Sequence, residues 1–138
     1  MTKDFVIIRF MTTKEIRPTK LELAILRVLW QAGPRSVREI QGILNETKPT
    51  GYTTVLKMLQ IMTEKGLVDR DETTRPQIYR ARYSQEQTQR HLVRDLMQRA
   101  FGGSVKALVM QALATKKSSQ ADLDAIEKLL DRIEGGTK

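Results

Sequence analysis

A chain of 138 residues is sized for one compact domain, or for a small domain with an extension. It has no cysteine, which excludes disulfides, thiolate metal sites and cysteine nucleophiles. The formal charge of +8 favours a polyanionic partner, while an aromatic content of 5% argues against a stacking platform for single strands.

The charge is unevenly placed. Residues 1–83 carry 15 basic and 9 acidic groups, a net of +6, and residues 84–138 carry 9 and 7, a net of +2. No apolar run approaches the roughly 18 residues of a membrane helix, and no export leader is read at the N-terminus, so a cytoplasmic location is expected. The first ten residues hold a short β-like run, Phe5-Val6-Ile7-Ile8, with nothing downstream to pair with it. Met11 is an equally good start, and residues 1–17 are read as an N-terminal tail, disordered or an upstream extension.

Thr19-Lys-Leu-Glu22 is a capping-box pattern, in which hydroxyl and carboxylate each satisfy an exposed backbone donor. It opens a helix with Leu21, Ile25, Val28 and Leu29 on one side that should stop before Gly33-Pro34. Trp30, the single tryptophan, is expected as a core anchor. Ser36-Val-Arg-Glu39 is a second capping box for a short helix with Val37, Ile40, Ile43 and Leu44 inward.

A turn over 45–49 leads to a third helix between Thr50, whose hydroxyl is placed to cap it, and Gly66, a left-handed stop. Val55, Leu56, Leu59 and Met62 form its apolar stripe. Thr53, Thr54, Lys57 and Gln60 fall outside the stripe, and such short hydroxyls, amides and a flexible cation can meet base edges and phosphates. Three short-linked helices, the third with this polar face, make a helix-turn-helix, and Arg38 and Gln41 on the second helix are candidates for phosphates.

After Gly66 the period changes. Leu67–Asp71 and Gln77–Arg82 read as strands around a polar turn over 72–76, which makes a wing. Arg75 at its tip and Arg80 on its second strand are candidates for backbone phosphates or the minor groove. The fold expected is mainly α with a small β-wing: a winged helix-turn-helix over 18–83, followed by a helical dimerisation region over 84–138.

That region begins at a third capping box, Ser84-Gln-Glu-Gln87, and is broken at Gly102-Gly103, with Ser104 and Ser119 capping two more helices. Leu92, Leu96 and Ala100, beside Val93, Met97 and Phe101, form a broad stripe on the first of these. Apolar positions recur at helical spacing in the next two as well. These stripes need burial, and a second copy of the chain supplies it while creating a two-fold reader of a palindromic site. Phe101, Val105, Leu108, Val109, Leu113, Leu123, Ile126, Leu130 and Ile133 are the expected dimerisation residues.

No nucleophile–base pair, metal-ligand cluster or phosphate-cradling glycine loop is present, so no catalytic residue, metal or cofactor is expected. His91 is expected as a surface residue. The residues therefore point to a homodimeric, sequence-specific reader of a palindromic site in double-stranded DNA. A winged-helix protein–protein adaptor is the alternative for the same elements.

Leu23-Ala-Ile-Leu-Arg-Val-Leu-Trp30, Tyr52-Thr-Thr-Val-Leu-Lys-Met-Leu59, Glu64-Lys-Gly66-Leu and the wing from Arg75 to Tyr79 resemble the BlaI/MecI/CopY family of penicillinase, methicillin-resistance and copper-responsive repressors. The resemblance runs from about Pro18 to about Glu134. It implies a homodimeric winged-helix repressor of dyad operators that dimerises through its C-terminal helices. By motif, Tyr52, Thr53, Thr54 and Lys57 lie on the operator-reading helix and Arg75 on the wing. Ile61 stands where relatives often carry arginine. Gln111-Ala112 stands where penicillinase-type repressors are cut at an Asn-Phe bond, and the paired cysteines of copper-responsive members are missing. Release from DNA is thus expected to involve a protease of different specificity, a small ligand or another release factor.

Overall fold

The computed structural model describes residues 18–115 and 117–136, with backbone alone at 133–136. The expectations for the N-terminal tail, including Phe5–Ile8, lie outside the described residues. The elements in order are α1 (Lys20–Ala32), α2 (Val37–Leu44), α3 (Tyr52–Lys65), β1 (Val68–Asp71), β2 (Ile78–Ala81), α4 (Gln85–Ala100), α5 (Val105–Thr115) and α6 (Gln120–Gly136). The fold is mainly helical with a small β-wing. Two compact units are present, the first ending at Arg94 and the second beginning at Asp95, so α4 begins in one and ends in the other. Among the described residues no helix is long and apolar enough to cross a membrane.

Local chemistry starts α1, α2 and α4. Thr19 and Glu22 close the reciprocal capping box of α1, and Ser36 and Glu39 close that of α2. The Ser84–Gln87 pair does the same for α4. α1 stops at Gly33, whose φ of 84° is open to glycine without strain. α3 ends in a Schellman motif: Leu67 N–H donates to the Met62 carbonyl and Gly66 N–H to that of Thr63, with Gly66 at φ 80°, ψ 19°.

Thr50 departs from expectation. The residue that begins α3 is Gly51, with no side-chain cap, while the Thr50 hydroxyl donates to the Lys48 carbonyl at 3.0 Å. The reason lies in α2. Asn45 Oδ1 accepts from Thr50 N–H at 2.7 Å, and Gln41 Nε2 donates to the Thr50 carbonyl at 3.2 Å. Both backbone groups of Thr50 are thereby fixed one residue before the position a cap needs.

The core of this unit is formed by the expected stripes. Ile25, Val28 and Leu29 of α1, Val37, Ile40 and Leu44 of α2, and Val55, Leu59 and Met62 of α3 are buried together with Leu67, Val68 and Tyr79. Leu26 is buried too, although the spacing of the α1 stripe left it out. Each large side chain fully withdrawn from water contributes about 1.5–3 kcal/mol, so α3 is held chiefly by Val55, Leu59 and Met62. Trp30 packs against the core edge and donates its indole N–H to the Tyr83 carbonyl at 3.0 Å.

β1 and β2 pair antiparallel with Val68 opposite Ala81, Asp69 opposite Arg80, Arg70 opposite Tyr79 and Asp71 opposite Ile78. On its other edge Tyr79 exchanges two backbone hydrogen bonds with Arg35, at 2.9 and 3.0 Å. This bridge ties the second strand of the wing to the turn between α1 and α2.

In α5, and among the described side chains of α6, no residue is buried. Val105, Met110, Leu129 and Leu130 are each about half exposed or more. Among the described residues the second unit, unlike the first, has no closed apolar core.

Candidate nucleic-acid interface

α3 presents one face to the core and the other to solvent. Because Val55, Leu59 and Met62 recur every three or four residues and are wholly buried, Thr53, Thr54, Lys57 and Gln60, off that stripe, are held outward and exposed. The first backbone hydrogen bond of this helix runs from Val55 N–H to the Gly51 carbonyl at 3.1 Å. The N–H groups of Tyr52, Thr53 and Thr54 therefore have no acceptor among the described residues, and the positive end of the helix dipole lies open.

Beside this helix end lies a groove of about 810 Å³ between the start of α2, the start of α3 and the residues that lead from the wing turn into β2. Arg38, Tyr52 and Arg75 line it, over a floor that includes Val37, Leu56 and Ile78. The Arg38 guanidinium sits over the Tyr52 ring, 5.5 Å from its centroid. Glu39 also lines the groove, but its carboxylate is occupied in the α2 cap. The Ser36 backbone N–H and then the Ser36 hydroxyl hold its pKa below the ordinary value.

The basic side chains sort into compensated and free. Lys65 donates to both carboxylate oxygens of the fully buried Glu22, at 3.0 and 3.1 Å. Arg82 pairs with Asp69 at 2.9 Å and Arg70 with Glu72 at 2.6 Å. The Tyr79 hydroxyl, and secondly Glu72, raise the pKa of Arg70, while the Asp69 hydrogen bond raises that of Arg82. Arg80 lies 4.0 Å from Asp69 and also lowers the pKa of Asp71, after the larger effects of the Thr73 hydroxyl and backbone N–H. Arg38, Lys57 and Arg75 have no ion-pair partner among the described residues.

The predicted contact residues thus occupy different settings. Arg38, Tyr52 and Arg75 meet at one groove, and Thr53, Thr54 and Lys57 stand on the outer face of α3. Arg80 stands apart from that groove, in a smaller recess shared with Asp69 and Asp71. Gln41 spends its amide N–H on the approach to α3. The pairing of Arg38 with Tyr52, and the presence of Leu56 and Gln77 in the groove, were not legible in the sequence. They join residues 14 or more positions apart on different elements, which no local period reports.

His91 differs from its expected surface role. Its ring is half-buried, and Nε2 is shielded from solvent with no hydrogen-bond partner. Among the described residues no group of three or more His, Cys, Asp or Glu side chains is placed to hold a metal ion.

Of the expected dimerisation residues, Val105, Leu113, Leu123 and Leu130 are exposed, while Phe101, Leu108, Val109 and Ile126 are half-buried. The side chain of Ile133 lies outside the described residues. Leu96, Met110 and Leu129 add exposed apolar surface that the expected set omits.

Three helices with a polar outer face on the third, closed by a two-stranded wing, define a winged helix-turn-helix protein. A family model of the penicillinase repressor matches residues 18–132. The chain belongs to the penicillinase repressor family. It is 28% identical over 118 residues to the transcriptional regulator BlaI of Mycobacterium tuberculosis strain CDC 1551/Oshkosh, with 84% of each chain covered. The same identity and coverage hold for the transcriptional regulator BlaI of M. tuberculosis strain H37Rv.

Proposed function

We propose that this chain is a homodimeric transcriptional repressor that binds a dyad operator in double-stranded DNA, in the cytoplasm. The observation that carries the reading is the outward face of α3. It combines exposed Thr53, Thr54 and Lys57, an open helix N-terminus, and a groove lined by Arg38 and Arg75, neither with an ion-pair partner among the described residues. An α-helix fits the major groove, where hydroxyls, amides and cations meet base edges, and free backbone N–H groups suit phosphate oxygens. The wing, with Arg75 at its turn, reaches the adjacent backbone or minor groove. Membership in a repressor family supports the same direction.

Two such units are needed for a dyad, and the C-terminal helices supply a means. Exposed Val105, Leu113, Leu123 and Leu130 form apolar surface that a second copy buries. Release from the operator falls to a protease of specificity suited to this chain, a small ligand or another release factor.

The test is nuclease footprinting on DNA from the promoter region beside the chain's own gene, across a salt series. A protected dyad is expected. If roughly six phosphates are neutralised per dimer, log affinity falls against log salt with a slope near −5. The absence of any protected dyad at every salt concentration overturns the reading.

A further inference from the structure

Arg38 is the second residue of α2, after the Ser36 cap and Val37. A cation in the first turn of a helix faces the positive end of the helix dipole, an unfavourable place without compensation. No carboxylate supplies that compensation: Arg38 forms no ion pair among the described residues, and the neighbouring Glu39 is committed to the cap. The negative face of the Tyr52 ring does, with the guanidinium 5.5 Å from its centroid. Tyr52 is the first residue of α3 and is 42% exposed, so its ring bridges the starts of two helices at the mouth of the groove. A freely rotating arginine loses much side-chain entropy when it grips a phosphate. A stacked one has lost part of it beforehand.

We propose that Tyr52 is a positioning residue, whose ring holds Arg38 at the edge of the groove between α2, α3 and β2 so that Arg38 and Arg75 receive one DNA backbone between them. The proposal rests on the DNA-binding reading above and deepens it. It assigns to a neutral residue a share of the electrostatic affinity. It also separates two roles: Thr53, Thr54 and Lys57 face the bases from the exposed side of α3, while the Arg38–Tyr52 pair sets the register of the backbone.

The test measures operator affinity across a salt series for the full-length chain and for Tyr52→Ala, Tyr52→Phe, Arg38→Ala and the double alanine variant. Thermal melts accompany each, because Tyr52 is exposed and its removal should leave the fold intact. Arg38→Ala should make the salt slope shallower by about 0.9 per protomer, the share of one phosphate. Tyr52→Ala should lower affinity roughly three- to tenfold and reduce the slope in the same sense, though it removes no charge. The double variant should be little worse than Arg38→Ala alone, and Tyr52→Phe should keep affinity and slope, because the ring remains.

Operator binding by the unmodified chain with an unchanged slope in Tyr52→Ala overturns the positioning role while sparing the DNA-binding reading. So does a Tyr52→Phe variant as weak as Tyr52→Ala, since the hydroxyl would then be the contact. No operator binding by the unmodified chain sinks the parent reading instead.

Discussion

Lys57 on the outer face of α3 and Gly66 at its C-terminal stop depend on opposite kinds of surroundings. Lys57 is exposed, off the apolar stripe and without an acidic partner among the described residues. Replacing it with alanine should weaken operator binding by about 1–3 kcal/mol per protomer while leaving the melting temperature unchanged. A variant of full affinity would remove Lys57 from the interface. Gly66 sits in the left-handed region, and a Cβ there would lie 3.1 Å from an Arg82 guanidinium nitrogen. Gly66→Ala should therefore cost about 1–2 kcal/mol in urea unfolding. The glycine was legible because its conformational role is intrinsic to the residue. The shift of the α3 cap from Thr50 to Gly51 was not, because Asn45 and Gln41 reach Thr50 from another element.

At the scale of elements, what orients α3 is its apolar stripe together with one ion pair. Glu22 is wholly buried, accepts from Thr19 N–H at the start of α1, and receives Lys65 from the last turn of α3. Lys65 retains 28% side-chain exposure, so its charge stays partly hydrated if the partner is lost. Glu22→Ala should then cost about 1–3 kcal/mol, below the upper range for breaking a fully buried pair, because a cap and a partly buried bridge are lost together. Equilibrium denaturation measures this. A loss under about 0.5 kcal/mol would show that neither interaction contributes to stability. The capping box of α1 was readable from Thr19 and Glu22 themselves. The second duty of Glu22, 43 residues away at Lys65, was not.

At the scale of the whole molecule, the two units differ in what closes them. The first buries a continuous core from α1 to β2, whereas the helices beyond Asp95 leave large apolar side chains in solvent. In the proposed dimer those side chains are covered by the second copy. Leu123→Asp, at a position 39% exposed, should yield a folded monomer by analytical ultracentrifugation, with operator affinity reduced at least tenfold because the two half-sites are no longer linked. An unchanged dimer would take Leu123 out of the interface.

The starts of α1, α2 and α4, and the helix stops and stripes, were determined by the sequence itself, since caps such as Ser36–Glu39, a stop such as Gly66 and the three- to four-residue spacing of Val55, Leu59 and Met62 act within one or two turns. The wing followed for the same reason, from a change of period around a polar turn. Only the tertiary structure decided which cations are free and which are compensated. It paired Arg80 and Arg82 with Asp69, buried Glu22 against Lys65, and set Arg38 on the Tyr52 ring. Electrostatic and ring contacts depend on distance in space, and packing brings those groups together from elements that carry no trace of one another in their spacing.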